Sequence, residues 1–200
     1  MPGRVWVPGD PLADTDQRWD VTARARRLDS SFISVREDTV RTPAGEAFDR
    51  LVVEHHGAVG VVALDDDDRV LLLRQYRHAV GRLLLELPAG LLDVDGEPPQ
   101  EAAARELAEE TDVVAASWSE LISMWSSPGM TDEHWQIFAA HDLAPAPAGS
   151  QPQRRHEEAY IEVVWVPLAE AVRAVLEQQM TSPLAVAGLL AVWAQRHRPA

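Results

Sequence analysis

The sequence predicts an α/β fold of layers around one core, with a mixed sheet and a small N-terminal antiparallel β region. The first observation is length, because 200 residues suffice for one sizeable core but are short for two full domains. The second is composition: 46% of the residues are hydrophobic and seven are tryptophan, which supports a buried core. The third is the mixture of strand-like and helix-like segments, which follow each other without regular alternation or internal repeat.

The chain is expected to divide into three parts. Residues 1–20 contain three prolines and no periodic apolar pattern, which predicts a poorly ordered tail. The β region is predicted at residues 21–55. There "SFISVREDTV" and "FDRLVVEH" flank the turn signal "TPAGE", which suggests an antiparallel pair of strands. Residues 56–200 carry the remaining elements and form the main domain.

The main domain begins with two short apolar runs, "GAVGVVAL" and "VLLLRQYR", on either side of "DDDDR". We interpret them as two strands of a hairpin with a tight acidic turn, because aspartate suits turns. A metal site is the weaker alternative, since carboxylates at a hairpin tip point in different directions. Further strands are predicted at "WSELISMWSS", "HWQIFAAHDL" and "YIEVVWVPL", and helices at "PQEAAARELAEETD", "LAEAVRAVLEQQ" and "SPLAVAGLLAVWAQR".

Composition excludes several classes of function. The absence of cysteine rules out disulfides, thiolate zinc sites and cysteine nucleophiles. All 18 basic residues are arginine, which removes Schiff-base chemistry and lysine-dependent phosphate loops. A formal net charge of -14 opposes binding to nucleic acid. No long apolar window or leader-like start is present, so we expect no membrane association and a cytoplasmic location.

The segment "RELAEET" collects three glutamates on one predicted helix. A helical wheel places four residues on the side expected to be buried: Ala104, Leu107, Ala108 and Thr111. Glu106 and Glu110 lie on the opposite side with Glu109 flanking them, and Arg105 can offset Glu109 but lies away from the other two. The helix alone favours a solvated acidic face, and the alternative is a site for a hard divalent cation such as Mg²⁺.

The residues ahead of the helix reverse that preference. From Gly90 onwards the sequence resembles the Nudix box, in which glycine, five residues, glutamate and seven residues precede R-E-U-x-E-E-x-G-U, with U aliphatic. The matching positions are Glu97, Arg105, Glu106, Leu107, Glu109, Glu110 and Val113. Two departures affect the loop and the helix end: six residues separate Gly90 from Glu97, and Asp112 replaces the glycine. Aspartate is one of the residues that adopt left-handed backbone, and neither departure removes a carboxylate.

Flanking motifs extend the resemblance over roughly residues 20–195. The segments "RQYRHAVGRLLLELPAGLLD", "SPGMTDE" and "HEEA" are similar to the ADP-ribose pyrophosphatase branch of the Nudix hydrolases. The resemblance implies an α/β/α sandwich with a mixed sheet and a homodimer formed with the help of the N-terminal strands. It also implies Mg²⁺-dependent hydrolysis of ADP-ribose to AMP and ribose 5-phosphate, with Mn²⁺ as the alternative ion.

The same resemblance implies roles for individual residues. The metal ligands it implies are the backbone carbonyl of Ala89 and the carboxylates of Glu106, Glu109 and Glu110, with Glu109 also in the catalytic set. The general base maps to Glu158, with Glu157 as second choice because alignment across a variable loop can slip by one. His156 beside them is interpreted as a bystander or a substrate contact. Gly90, Glu97 and Arg105 are box positions that support the loop against the helix.

Substrate contacts are less sharply indicated. Arg50 and Arg77 are candidates for the phosphates and ribose, Glu133 for ribose hydroxyls and Phe32 for stacking on adenine, although each arginine could equally form a surface ion pair. Another nucleoside diphosphate sugar, such as GDP-mannose or a UDP-sugar, is the main alternative substrate. A non-catalytic nucleotide-binding sensor is the alternative outside enzymes, and such a protein would be expected to have lost carboxylates that are all present here.

Overall fold

The computed structural model describes residues 3–30, 32–147 and 159–198. The chain divides into two compact units, Met1–Val52 and Val53–Ala200. Within the described ranges it forms ten strands, three α-helices and a short 3-10 helix, His78–Val80. The strands are β1 Asp20–Asp29, β2 Ser34–Arg41, β3 Ala47–Glu54, β4 Ala58–Ala63, β5 Arg69–Arg77, β6 Arg82–Glu86, β7 Ala89–Leu91, β8 Val113–Trp125, β9 His134–Pro145 and β10 Glu162–Pro167; the helices are α1 Pro99–Thr111, α2 Leu168–Leu176 and α3 Pro183–Arg196.

The N-terminal unit contains a three-stranded sheet in the order β1, β2, β3. The predicted pair corresponds to β2 and β3, and the turn between them is closed by the Thr42 N–H, which donates to the Glu46 carbonyl at 2.8 Å. Strand β1 runs antiparallel to β2 and was not delimited from the sequence. Its sequence "DVTARARRLD" is exposed almost throughout, so it lacks the alternation of buried and exposed residues that marks a half-buried strand.

A four-stranded mixed sheet in the order β7, β4, β9, β8 lies in the second unit, as predicted. Strand β4 runs parallel to β9 and antiparallel to β7, and β8 runs antiparallel to β9. All six residues of β4 are buried. A strand covered on both faces is apolar at every position, which explains why "AVGVVA" shows no alternation.

The predicted hairpin of β4 and β5 is wrong. Strand β5 belongs to a separate sheet in the order β10, β5, β6, and a single bridge between Leu64 and Val70 joins the two runs. The acidic turn itself is present, because Asp65 Oδ1 accepts hydrogen bonds from the N–H groups of Asp67 and Arg69 at 3.1 and 2.8 Å. Side chains of this turn pair with arginines, and no metal-binding group of three His, Asp or Glu residues occurs there or elsewhere in the described part of the chain.

The helices cover both faces of the mixed sheet and confirm the predicted α/β/α sandwich. Alternate residues of a strand face opposite sides, so Val59 and Val61 pack with Leu107 of α1, whereas Val62 packs with Leu189 of α3. The α3 backbone comes close to the sheet at Gly188, where a Cβ would lie 2.9 Å from Val62 Cγ2 of β4. No helix within the described ranges is long and apolar enough to span a membrane.

Candidate active site

Helix α1 follows the predicted boundaries closely. Pro98 precedes the first turn and Pro99 occupies it, where a missing N–H leaves no hydrogen bond unmade. The helix ends at Thr111, and Asp112 after it adopts left-handed backbone with φ 58° and ψ 28° and donates its N–H to the Ala108 carbonyl at 3.0 Å. The position at which the Nudix pattern has glycine is therefore one that favours glycine, and aspartate occupies it.

The side of α1 that is buried differs slightly from the wheel. The buried residues of the helix are Ala102, Ala103, Leu107, Ala108 and Thr111. Ala104 is only partly buried, so its assignment to the buried side is wrong. The acidic side is not open to solvent either: the side chain of Glu106 is 15% exposed and that of Glu109 is 31% exposed. Part of the reason is that the segment preceding the helix lies against the acidic side, which a wheel of the helix alone cannot show.

Gly90 provides the space that Glu106 occupies. A Cβ built on Gly90 would lie 2.0 Å from Glu106 Cδ and 2.2 Å from Oε1, far closer than any side chain permits. Burial raises the pKa of the Glu106 carboxyl, and its hydrogen bond from Arg105 opposes that shift. The glycine of the box is thus needed for close approach of the loop to a half-buried carboxylate.

Arg105 links the loop to the helix. Its Nε and Nη2 each donate to one carboxylate oxygen of Glu97 at 3.0 Å, a bidentate pair. Its Nη1 donates to Glu106 Oε1 at 2.6 Å and lies 3.6 Å from Glu109 Oε2. The expectation that Arg105 lies away from Glu106 is wrong, because the bond to Glu97 directs the guanidinium to the side where Glu106 meets the loop. These contacts lower the pKa of Glu97 and raise that of Arg105.

Glu110 contacts the strand that precedes the loop. The Ala89 N–H donates to Glu110 Oε2 at 2.8 Å, and Ala89 is the first residue of β7, which pairs with β4. Two residues predicted as metal ligands are therefore direct neighbours, although 21 positions separate them in sequence. The helix is attached to β7 and the following loop at three points, through Glu110, Glu106 and Arg105.

The donor set suits a hard divalent cation. Carboxylate oxygens of Glu106, Glu109 and Glu110 lie on one helix, Arg105 contacts the first two, and the space at Gly90 admits the Glu106 carboxylate into the loop. No three His, Asp or Glu residues in the described part of the chain form a group able to hold a metal by themselves. The residues present thus have the chemistry that a divalent cation requires.

The candidate substrate residues are placed in three different environments. Arg77 Nε and Nη2 donate to Glu86 Oε2 at 3.0 and 2.6 Å. Glu133 Oε1 lies 3.3 Å from His55 Nδ1. In the N-terminal unit the Arg50 guanidinium lies 4.4 Å from the centre of the Phe48 ring, and Phe32 is 61% exposed. The base candidates Glu157 and Glu158, with His156, lie outside the described residues.

Two side chains beside these candidates were missed from the sequence. Glu86 is 7% exposed and contacts Arg77, and a single glutamate inside the apolar run "LLLELPAG" was the available signal. His55 contacts Glu133, but nothing in the sequence brings together two residues so far apart along the chain.

Comparison with known proteins identifies the family. The NUDIX domain model matches residues 54–185. The chain belongs to the Nudix family. The family predicted from the box is therefore confirmed, and the chain is a Nudix hydrolase, a family that generally uses divalent metal ions.

Several relatives of this Nudix hydrolase are named ADP-ribose pyrophosphatase, and two of them match most of this chain. The protein from Mycobacterium tuberculosis is 45% identical over 164 residues, covering 82% of this chain and 78% of its own. The protein from Bacillus subtilis is 31% identical over 158 residues, covering 79% of this chain and 83% of its own. A crystal structure of an ADP compounds hydrolase shares the fold with a TM-score of 0.74 and 24% identity, over 94% of this chain and all of the other.

Proposed function

We propose that this Nudix hydrolase catalyses Mg²⁺-dependent hydrolysis of the pyrophosphate bond of ADP-ribose, giving AMP and ribose 5-phosphate, with Mn²⁺ as the alternative ion. The observation that carries the proposal is the approach of Glu106 to Gly90. The loop accepts the Glu106 carboxylate only because position 90 is glycine, since a Cβ there would occupy the same space. The choice of ADP-ribose is supported by the names of two relatives, at 45% and 31% identity.

The ion would be held by the carboxylates of Glu106, Glu109 and Glu110 and by the carbonyl of Ala89. A bound divalent cation neutralises phosphate oxygens and lowers the pKa of a coordinated water. Arg105 orients Glu106 through its 2.6 Å hydrogen bond, and Glu97 holds Arg105 in turn. Such outer partners tune a metal site because they restrict where its ligands can point.

We assign the general base to Glu158, with Glu157 as the second choice. The base takes a proton from the attacking water, whose oxygen forms a bond to one phosphorus while the bridging P–O bond breaks. Arg50 and Arg77 are proposed to contact the phosphates, Glu133 the ribose hydroxyls, and Phe32 the adenine. Arginine forms bidentate bonds with phosphate, which suits this role.

Assembly and location follow as further parts of the proposal. The proposed division is a tail at residues 1–20, a β region at 21–55 and the hydrolase domain at 56–200. We propose that the β region forms a homodimer and that the enzyme acts in the cytoplasm on a small-molecule nucleoside diphosphate sugar. Nucleic acid and membranes are not proposed partners, since the net charge of -14 opposes the first.

A substrate panel tests the proposal most directly. ADP-ribose, GDP-mannose, UDP-glucose and diadenosine polyphosphates are assayed with and without Mg²⁺, and products are separated by chromatography. We expect AMP and ribose 5-phosphate from ADP-ribose, only in the presence of the ion. A preference for GDP-mannose or UDP-glucose would transfer the function to that substrate, and no turnover of any compound would contradict the proposal.

The base assignment has its own test. Glu158→Gln removes the proton acceptor and keeps the size of the side chain, so kcat is expected to fall much further than in Glu157→Gln. The reverse order would assign the base to Glu157, and equal small effects would remove both residues from the role.

A further inference from the structure

The segment "SPGMTDE", residues 127–133, forms a compact loop between β8 and β9. Its turn is closed by the N–H groups of Met130 and Thr131, which donate to the Ser127 carbonyl at 3.0 and 3.1 Å. Thr131 Oγ1 then accepts from the Glu133 N–H at 3.1 Å, and the Glu133 carbonyl accepts from Ser126 N–H at 3.0 Å. The backbone of Glu133 is therefore bonded on both sides.

A second segment, residues 53–55, is bonded along this loop. The Val53 N–H donates to the Met130 carbonyl at 2.8 Å, and the Asp132 N–H donates to the Val53 carbonyl at 3.3 Å. Asp132 Oδ1 accepts from the His55 N–H at 3.1 Å. These three bonds bring His55 to the end of the loop that carries Glu133.

The imidazole of His55 reaches the carboxylate of Glu133 from that position. His55 Nδ1 lies 3.3 Å from Glu133 Oε1, and the two side chains are 11% and 20% exposed. The contact is an ion pair by distance and does not meet hydrogen-bond geometry, and such contacts often shorten and align only when substrate is bound. A carboxylate restrained in this way loses less side-chain entropy when it accepts hydrogen bonds from a ligand.

We infer that His55 is a positioning residue that orients the Glu133 carboxylate towards the hydroxyls of the second sugar of a nucleoside diphosphate sugar. The inference rests on the proposed function, in which Glu133 contacts ribose. Vicinal hydroxyls donate two hydrogen bonds, and a carboxylate with a fixed plane accepts both. His55 acts through Glu133 and does not itself contact the reacting phosphate.

Two substrates separate this role from a general effect on the fold. ADP-ribose contains the second sugar, whereas the methyl ester of ADP has the same pyrophosphate without it. His55→Leu keeps the bulk and removes the donor, whereas His55→Asn keeps a donor near the position of Nδ1. His56→Asn is the matched control, because His56 is the adjacent histidine and is exposed. If His55→Leu fails to fold, His55→Gln replaces it, since its amide extends beyond the Nδ1 position.

The expected result is a change in KM for one substrate. His55→Leu raises the KM for ADP-ribose about three- to tenfold, as for loss of the hydrogen bond that forms when substrate aligns the contact, with kcat nearly unchanged. The KM for the methyl ester is unaffected, and His55→Asn and His56→Asn behave as wild type. In a Glu133→Gln background the effect of His55→Leu disappears, because the group it positions is already altered.

Three results would overturn the inference. They are an equal rise of KM for both substrates, full additivity of His55→Leu with Glu133→Gln, and failure of His55→Asn to restore the wild-type KM. The wild-type enzyme separates this inference from the proposed function. If it turns over neither compound, the proposed function is wrong and the assignment of His55 falls with it.

Discussion

Gly90 and Glu106 share one space: the absent side chain of the first is where the carboxylate of the second lies, with a hypothetical Cβ 2.0 Å from Cδ. Gly90→Ala is therefore expected to displace Glu106, abolish most of the activity and lower the free energy of unfolding by about 1–3 kcal/mol, the usual range for overpacking. Steady-state kinetics and urea unfolding measure the two effects.

Gly60→Ala is the matched control for that substitution. Gly60 pairs with Ala89 in the neighbouring strand, and its Cβ would meet the flexible end of Leu184 at 3.3 Å and Ile137 Cγ1 at an ordinary contact distance of 3.8 Å. We expect near wild-type kcat. If Gly90→Ala also keeps wild-type kcat, the position of Glu106 in this structure does not matter for turnover.

Glu110→Gln separates the charge of this side chain from its structural bond. The amide oxygen of glutamine can still accept from the Ala89 N–H, so the protein should fold normally. Loss of a proposed metal ligand should reduce kcat about a hundredfold or more, as for other groups that stabilise transition-state charge. Glu101→Gln, on the exposed first turn of the same helix, is the control. Equal activity of the two variants would remove Glu110 from the metal site.

Arg105→Lys tests the bidentate bond to Glu97. A lysine ammonium cannot reproduce two parallel bonds to Glu97 and a third to Glu106. Activity or the apparent Mg²⁺ affinity should fall about 10- to 100-fold, as for other outer partners of metal sites. The measurement is initial rate against Mg²⁺ concentration. Arg173→Lys is the control, since Arg173 also pairs with two glutamates but lies on the exposed side of α2. Unchanged Mg²⁺ dependence in Arg105→Lys would contradict the prediction.

Asp112→Gly should stabilise the protein. The residue has φ 58° at the end of α1, where glycine avoids a steric penalty and a negative charge opposes the helix dipole. We expect the free energy of unfolding to rise by about 1 kcal/mol, measured in urea. Asp112→Asn isolates the charge, because asparagine also tolerates this backbone, and should yield a smaller gain. If Asp112→Gly instead lowers the free energy of unfolding, the contacts of the aspartate side chain stabilise the protein by more than its left-handed backbone destabilises it.

Asp38 should make stability depend on pH. Its pKa lies below the ordinary 3.8, chiefly because Arg24 donates to it, with Arg36 adding to the effect and burial opposing it. A lowered pKa means that the contribution is complete above pH 3.8 and is lost as pH falls through the folded-state pKa. At pH 7, Asp38→Asn should lower the free energy of unfolding by about 1.5–3 kcal/mol, typical of bonds to charged groups.

The difference between wild type and Asp38→Asn should shrink as urea unfolding is repeated from pH 5 down to pH 2. Asp49→Asn is the control, since exposed Asp49 accepts a hydrogen bond from the hydroxyl of Thr39. A constant difference across this range would show that the Asp38 carboxylate titrates equally in the folded and unfolded chain.

Local sequence patterns predicted most of the helices and strands, but they did not predict which strands pair with each other. Helix α1 was placed because its prolines, alanines and glutamates act within one segment. The hairpin of β4 and β5 was wrong because a strand buried on both faces is apolar at each position and does not indicate which strands flank it.

For the candidate site too, the sequence predicted what lies within one segment and missed contacts between segments. Spacing along a helix put Glu106, Glu109 and Glu110 on one arc, and the box added Gly90 and Glu97. The turn of Arg105 towards Glu106 depends on the loop that packs beside the helix, so the wheel missed it. The contact of His55 with Glu133 depends on two loops distant in sequence, which no local pattern encodes.

The placement of β4 and β5 in different sheets constrains the order in which the chain can fold during synthesis. Strand β4 pairs with β9 and β5 pairs with β10, and both partners lie much later in the sequence. Neither sheet can therefore be completed until most of the polypeptide has left the ribosome. In the β1–β3 meander each strand pairs with its neighbour along the chain. During synthesis the apolar runs of β4 and β5 thus stay partly unpaired until β9 and β10 have been made, and the charged turn between them interrupts what would otherwise be one aggregation-prone stretch.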